Sequence, residues 1–468
     1  MTICSLLERR SREVPDALAF TFGSDSLTHR ELREDAGRIA AALSHQGVAA
    51  GDRVPIILPA GLDIVRIFYA LQRLGAIPSI LDPNVPAPAI ARRVAMLRPR
   101  LVITSMPDLG CLAPLPPVPD HDDAIAFLQL TSGTSAEARA AIVLQRNVIA
   151  SLESARAMIQ PEARDVLVGW VPPWHDLGLL RFVIAPLFFG LPCHLVEPAV
   201  RTIPRWLATI ARVRGTISGA PDFAWRLATR LVDPKSADLS SLRFATNGGE
   251  PVRASTIDAF EERFGLHNVI RPGYGLAEAT LGVTSLRSGE RRRVDERGNV
   301  SCGLPLENVE VRIDGDVPGE IVVRGNAVFA GYFDEPAATA GTLRGGWLHT
   351  GDTGYLDRDG HLYVLGRERA MIKRGGAPLA PRELEEAAQS VSGVRVAAAI
   401  GVARELTEEI VVVVETDPDA SDVVRLVMEA VERALGFAPH RVVVAEPRTI
   451  PRTSNGKIRH AELRRQLT

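Results

Sequence analysis

Residues 52–83, DRVPIILPAGLDIVRIFYALQRLGAIPSILDP, decide the fold class. "DRVPIILP" is a short apolar run of the kind a buried strand needs, "DIVRIFYALQRLGA" reads as a helix, and "IPSILDP" as a second strand. Strand, helix and strand of these lengths predict a βαβ unit with parallel strands. Upstream, Thr28 with Glu31 three residues later forms a capping box that opens an amphipathic helix over 28–48. Downstream the pattern recurs in "RGTISGAP" (214–221), a helix near 222–232, "LRFATNGGEP" (242–251) and a helix from Arg253 to Phe264.

After about residue 300 the texture changes. "VEVRIDGDVPGEIVVRG" (309–325) and "GYLDRDGHLYVLGR" (354–367) alternate apolar and polar residues around Gly and Asp turns, as antiparallel hairpins do. The last hundred residues read as helix (382–390), strands (394–401 and 409–415), helix (421–436) and strand (441–445), a small α+β unit. The boundary is expected near "GRERAMIKRGG" (366–376), which divides the chain into 1–368 and 369–468. Two domains also fit the length of 468 residues, more than one core usually serves.

Composition narrows the class. The chain is 46% hydrophobic and 24% charged, with a formal net charge of −2, so no global pull towards nucleic acid is implied. Cys4, Cys111, Cys193 and Cys302 are far apart, which argues against a disulfide framework or a structural zinc site and fits a reducing cytoplasm. The N-terminus has too short an apolar run for a signal peptide. The most apolar stretch, LLRFVIAPLFFGLPCHLV (179–196), carries Arg181 and two prolines, so it is not a membrane span. A soluble intracellular protein is expected.

Chemistry-bearing motifs follow in order. "LQLTSGTSAEARAA" (128–141) places small hydroxyl residues and Gly133 after an apolar strand, where backbone N–H groups and hydroxyls can cradle phosphate oxygens. It is not the G-x-x-x-x-G-K-[ST] loop. Then come "WVPPWHDLGL" (170–179), "TNGGEP" (246–251), "GYGLAEAT" (273–280), "HTGDTGYLDRDGHLYVLGR" (349–367), "IKRGGAPLAPRELE" (372–385) and "PRTSNGKIRHAEL" (451–463). In this order and spacing they resemble the adenylate-forming superfamily, which includes acyl-CoA synthetases, amino-acid adenylation domains and fatty acyl-AMP ligases. The resemblance runs from about residue 15 onward. It is strongest to the fatty acyl-AMP ligases, through "HDLGL", "ISGAPDFAW" and "YGLAEATL".

The resemblance implies an α/β fold: a large N-terminal domain of βαβ-type parallel sheets with a small β-barrel-like subdomain, then a small mobile α+β domain carrying Lys457. It implies ATP-dependent activation of a carboxylic acid to acyl-AMP, with Mg²⁺ as cofactor. It puts Glu278 on Mg²⁺, and Thr131, Ser132, Gly133, Thr134 and Ser135 on the phosphates. Asp352 would meet the ribose hydroxyls with Arg367 beside it. Tyr274 and Gly275 would lie against adenine with the Gly248–Gly249–Glu250 backbone. Trp174, Asp176, Gly219, Ala220, Asn247 and Gly273 would line the acid pocket, with His175 and Lys457 as catalytic groups. Lys457 would bridge carboxylate and α-phosphate. A lysine on a mobile domain can be present for adenylation and swung away for thiol transfer.

The chain departs from the family pattern in three places. Ala136, Ala138, Arg139 and Ala140 replace the usual Gly, Pro, Lys and Gly of the phosphate loop, Arg139 keeping the positive charge. At the hinge Arg369–Ala370 stands where Lys-Asp is common. The long insertion that marks many fatty acyl-AMP ligases before "TGD" is missing, and because it is associated with refusal of coenzyme A, the acceptor stays open. The thiol is that of an acyl or peptidyl carrier protein, or coenzyme A. Asp176 leaves an amino-acid substrate open as well, and the altered loop and hinge admit an inactive nucleotide-binding homologue. Arg441, Arg448, Arg452, Arg459, Arg464 and Arg465 form a basic edge that suits an acidic carrier protein.

Overall fold

The computed structural model describes residues 1–131, 138–374, 377–403, 408–418, 420–452 and 458–467. Its architecture is mixed α/β. In the stretch that opened the sequence reading, strands Arg53–Ile56 and Ile77–Ile80 pair in parallel around the helix Leu62–Leu74. That helix buries Ile64, Val65, Ile67, Phe68, Tyr69 and Leu71 almost completely. It stops two residues before the expected end, because Gly75 turns into the left-handed region at φ 67° and caps it. The expected capping box is present on the helix His29–His45. The Glu31 N–H donates to Thr28 Oγ1 at 3.2 Å and the Thr28 N–H to Glu31 Oε2 at 2.8 Å.

The large sheet has nine strands. Its six inner strands run in the spatial order Ile270–Leu276, Phe244–Asn247, Ile217–Ala220, Leu167–Gly169, Cys193–Leu195, Leu18–Phe22, and all are parallel. Antiparallel strands close both edges. Successive residues of the inner strands feed two different apolar clusters: Leu167 and Phe244 enter one, Val168 and Ala245 the other. Both faces are therefore covered, as parallel sheets require. On one face Trp206 stacks on Trp170 with ring centroids 5.5 Å apart and packs on Trp225 at 4.7 Å. Both Trp206 and Trp225 are fully buried, so truncation of either to Ala would cost about 3–5 kcal/mol.

The two hairpins predicted after residue 300 meet in one antiparallel sheet. Strand Val309–Asp314 pairs with Gly319–Gly325, which pairs with Trp347–Leu356, and Leu362–Arg367 pairs with the latter. From residue 372 onward, Val394–Ala403 runs antiparallel to Glu408–Thr416, itself parallel to Arg441–Ala445. Helices Pro381–Gln389, Val423–Leu435 and His460–Leu467 complete this part. Its two apolar clusters contain no residue before 372. Polar contacts join it to the large sheet's helices: Arg253 Nε–Glu386 Oε1 at 3.3 Å and Arg226 Nη1 to Gln389 Oε1 at 2.7 Å. Among the described residues no helix is long and apolar enough to cross a membrane.

Candidate active site

Parallel sheets present their loops at the carboxyl ends of the strands, where ligands of open α/β folds bind. The segments singled out in the sequence emerge there. Trp174, His175 and Asp176 follow strand Leu167–Gly169; Gly219 and Ala220 end strand Ile217–Ala220; Asn247 ends Phe244–Asn247 and leads into Gly248, Gly249 and Glu250. Gly273, Tyr274 and Gly275 occupy the second half of Ile270–Leu276, with Glu278 in the short turn after it. The backbones crowd here. A Cβ on Gly248 would lie 2.7 Å from the Gly273 carbonyl oxygen, so no larger residue fits without movement.

Tyr274 donates its hydroxyl to Asp352 Oδ2 at 2.6 Å, and Arg367 Nε meets Asp352 Oδ1 at 2.8 Å. Asp352 and Arg367 face each other across paired strands, which fixes their ion pair, and Arg367 Nη1 donates to the Thr350 carbonyl at 2.9 Å. Burial and the Asp352 carboxylate push the Tyr274 phenol well above its ordinary pKa. Tyr332 donates to Glu278 Oε1 at 2.8 Å, and the Arg139 guanidinium lies 5.2 Å from the centre of the Tyr332 ring. Arg139 also pairs with Glu335 at 3.1 Å. The Asp352 and Glu278 carboxylates both favour the Arg367 cation, so the two sets form one electrostatic cluster. No hydrogen bond from a described residue reaches Glu278 Oε2. A carboxylate so placed suits Mg²⁺, a hard ion bound by one or two carboxylates and substrate phosphates.

Thr131 is tied to Arg139 at the mouth of the phosphate-loop segment. Its N–H donates to the Arg139 carbonyl at 2.9 Å, and its Oγ1 accepts the Arg139 N–H at 3.2 Å. Ser132, Gly133, Thr134 and Ser135 lie outside the described residues, as does Lys457. The residues flanking 453–457 are held by two buried carboxylates. Glu415 accepts from Ile450 N–H at 3.0 Å and Arg452 Nη2 at 2.5 Å. Glu385 accepts the Ala399 N–H at 3.1 Å and lies 2.6 Å from His460 Nε2. Burial pushes Glu385 up, but His460 and the Ala399 N–H outweigh it and hold its pKa below the ordinary value.

In the turn after strand Leu167–Gly169, His175 Nδ1 lies 3.1 Å from Asp176 Oδ1, which accepts the Leu177 N–H at 2.7 Å. Gln129 donates to the Trp174 carbonyl at 3.1 Å and ties this turn to the strand before Thr131. Asn247 donates through Nδ2 to Asp222 at 3.1 Å, while its buried Oδ1 and the buried Trp174 Nε1 have no hydrogen-bond partner among the described residues. Asp222 is fully buried and also accepts from Arg253 N–H at 3.1 Å and Thr256 Oγ1 at 3.0 Å. Glu250 accepts the Phe223 N–H at 2.5 Å, and its pKa is pushed up to about 7 by burial, with Asp222 adding to the shift. Sequence reasoning missed Tyr332, Gln129 and Asp222. Tyr332 stands 54 residues from Glu278, and no local spacing links them.

The basic edge expected near the C-terminus is partly neutralised within the chain. Arg441 pairs with Glu409, Arg452 with Glu415 and Arg459 with Glu462. Arg448 and Arg465 are exposed.

A family model described as AMP-binding enzyme matches residues 7–115 and 104–333. The putative ligase Rv1013 of Mycobacterium tuberculosis is 31% identical, with 93% of each chain covered. The long-chain-fatty-acid–AMP ligase FadD26 of the same species is 30% identical over 98% of this chain and 96% of its own. That alignment runs 562 residues against a chain of 468, so the relative carries segments that this chain lacks. A solved structure from a study of fatty acyl-adenylate ligases of E. coli and L. pneumophila superposes with a TM-score of 0.88. It is 25% identical and covers 100% of this chain and 97% of its own.

Proposed function

The chain belongs to the AMP-binding enzyme family and is an adenylate-forming ligase, and from that premise we propose that it activates a fatty or other acyl acid and loads it onto a carrier-protein thiol. A carboxylate oxygen attacks the α-phosphorus of ATP, and the bond to the leaving pyrophosphate breaks. The thiol sulfur of the phosphopantetheine arm then attacks the acyl carbonyl, and AMP leaves. The first step brings two anions together, so positioning and charge compensation carry it.

The observation that carries this reading is the joint cluster of Tyr274, Asp352, Arg367, Glu278 and Tyr332 at the carboxyl end of the sheet. Asp352 and Arg367 would receive the ribose, Tyr274 the adenine edge, and Thr131 with residues 132–135 the phosphates. Glu278, oriented by Tyr332, would hold Mg²⁺, which supplies charge compensation when bound. Lys457 would neutralise the carboxylate–phosphate encounter. Trp174 packs against the large apolar cluster, which favours an acyl acid over an amino acid. The relatives' names favour acyl-AMP ligation, whereas coenzyme A as acceptor is the second reading, since the chain is shorter than FadD26. Four unpaired cysteines and the demand for ATP fit the cytoplasm.

The test is ATP–pyrophosphate exchange with fatty, aryl, dicarboxylic and amino acids. Exchange above background with one acid class, dependent on Mg²⁺, is the expected result. Exchange with none would overturn the proposal.

A further inference from the structure

Among the described residues, the part of the chain from residue 372 onward keeps its apolar clusters to itself, and polar contacts seat it on the rest. A seam without a shared apolar core lets one part move against the other as a body. The seam centres on Arg253. Its Nε meets Glu386 Oε1 at 3.3 Å on one side, and its Nη1 meets Asp222 Oδ2 at 3.6 Å on the other. Glu386 Oε1 also accepts from Arg382 Nε at 2.7 Å, and Arg382 Nη2 donates to the Gly298 carbonyl at 3.3 Å. Gln389 accepts from Arg226 Nη1 at 2.7 Å. Residues 382, 386 and 389 share one face of the helix Pro381–Gln389, and that face is the seat.

Both sides of the seam lead into the site. Asp222 is fully buried and accepts from Nδ2 of Asn247, the last residue of strand Phe244–Asn247, at 3.1 Å. On the other side Glu385, the neighbour of Glu386, lies 2.6 Å from Nε2 of His460, three residues after 457. The Arg253 charge also favours the Glu385 carboxylate. One run of contacts thus joins Asn247 to the residues flanking 457, with Arg253 at its junction. The guanidinium fork can serve two carboxylates at once, which sets how the helix approaches. The Glu386 side chain is 34% exposed, so water can take it when the seat opens, while Asp222 keeps its bonds to Asn247 and Thr256.

Building on the adenylating reading, we propose that Arg253 is a positioning residue: through Glu386 it seats the C-terminal part in the orientation that serves adenylation, and it lets go for thiol transfer.

Two measurements on the full chain test this. Energy transfer between dyes on the exposed Cys111 and on Val424→Cys, an exposed position of the C-terminal part, reports the seat without any chemistry. Acyl-adenylate formation and thiol transfer from supplied acyl-adenylate are timed alongside. Both use the wild type, Glu386→Gln, Arg253→Met and the double variant. Glu386→Gln leaves the buried Asp222 its arginine and so guards against misfolding. Each single variant should lower the seated fraction and slow adenylation about tenfold or more, with transfer little changed. The double variant should lose no more than Arg253→Met, because the two partners of one contact are not additive. A lowered seated fraction in the variants, with no acyl-adenylate formed by the wild type from any acid, would uphold the seat and sink adenylation. Unchanged energy transfer in Glu386→Gln, equal slowing of both half-reactions, or additive losses in the double variant would overturn the inference and leave adenylation standing.

Discussion

Glu250 sits among charges of both signs: Asp222 raises its pKa, while Arg253, Arg226 and the Phe223 N–H work against the shift. Burial dominates and brings it to about 7 from an ordinary 4.5. The folded state therefore holds a proton that the unfolded chain releases, and stability from the neutral form is complete below pH 4.5. It declines between 4.5 and about 7 and is gone above. Up to about 3 kcal/mol is at stake. Urea unfolding at pH 5 and pH 7.5 should show a smaller difference in Glu250→Gln than in the wild type, because the amide cannot ionise. Equal differences in the two proteins would remove Glu250 as the cause. The residue was legible in "TNGGEP", but its titration was not, since the shift depends on burial and on Asp222, which comes from the start of the helix Asp222–Leu231.

At the scale of elements, the pair of carboxylates behind residues 453–457 forms a clamp. Glu415 holds Arg452 and Ile450 on one side, Glu385 holds His460 on the other, and Arg452 pairs with Ile458 across the base. Glu385→Gln or His460→Ala should slow adenylation about 10–100-fold by loosening the residues that flank Lys457, if that lysine has its proposed role. Transfer from supplied acyl-adenylate should change less. Equal losses in both half-reactions would mark a merely structural role. Much at this scale was legible: the capping box at Thr28 and Glu31, the βαβ unit at 52–83 and the hairpins after residue 300 are local patterns with local causes. The order of the nine strands was not, because pairing Leu18–Phe22 with Cys193–Leu195 depends on packing across the whole chain. The clamp was hidden for the same reason, its partners being 37 and 75 residues apart.

At the scale of the whole molecule, the charge of the C-terminal edge bears on the acceptor. Among the described residues at least three of the six C-terminal arginines, Arg441, Arg452 and Arg459, are engaged by acids of their own chain, which leaves a weaker positive edge than the sequence suggested. Carrier-protein loading, expected from the likeness to acyl-AMP ligases, should still outpace acyl-CoA formation in direct competition, but the weaker edge should leave only a mild loss of rate as salt rises and screens Arg448 and Arg465. Faster acyl-CoA formation at low and high salt alike would assign coenzyme A as acceptor. The central claim, adenylation driven by Lys457, meets its most direct test in a single turnover with ATP labelled on the α-phosphate and an excess of accepted acid, without thiol. The wild type is expected to convert label to acyl-adenylate with one pyrophosphate released per turnover. Lys457→Ala should bind ATP and form almost none. Label appearing as ADP, or an undiminished burst of acyl-adenylate in Lys457→Ala, would contradict the account.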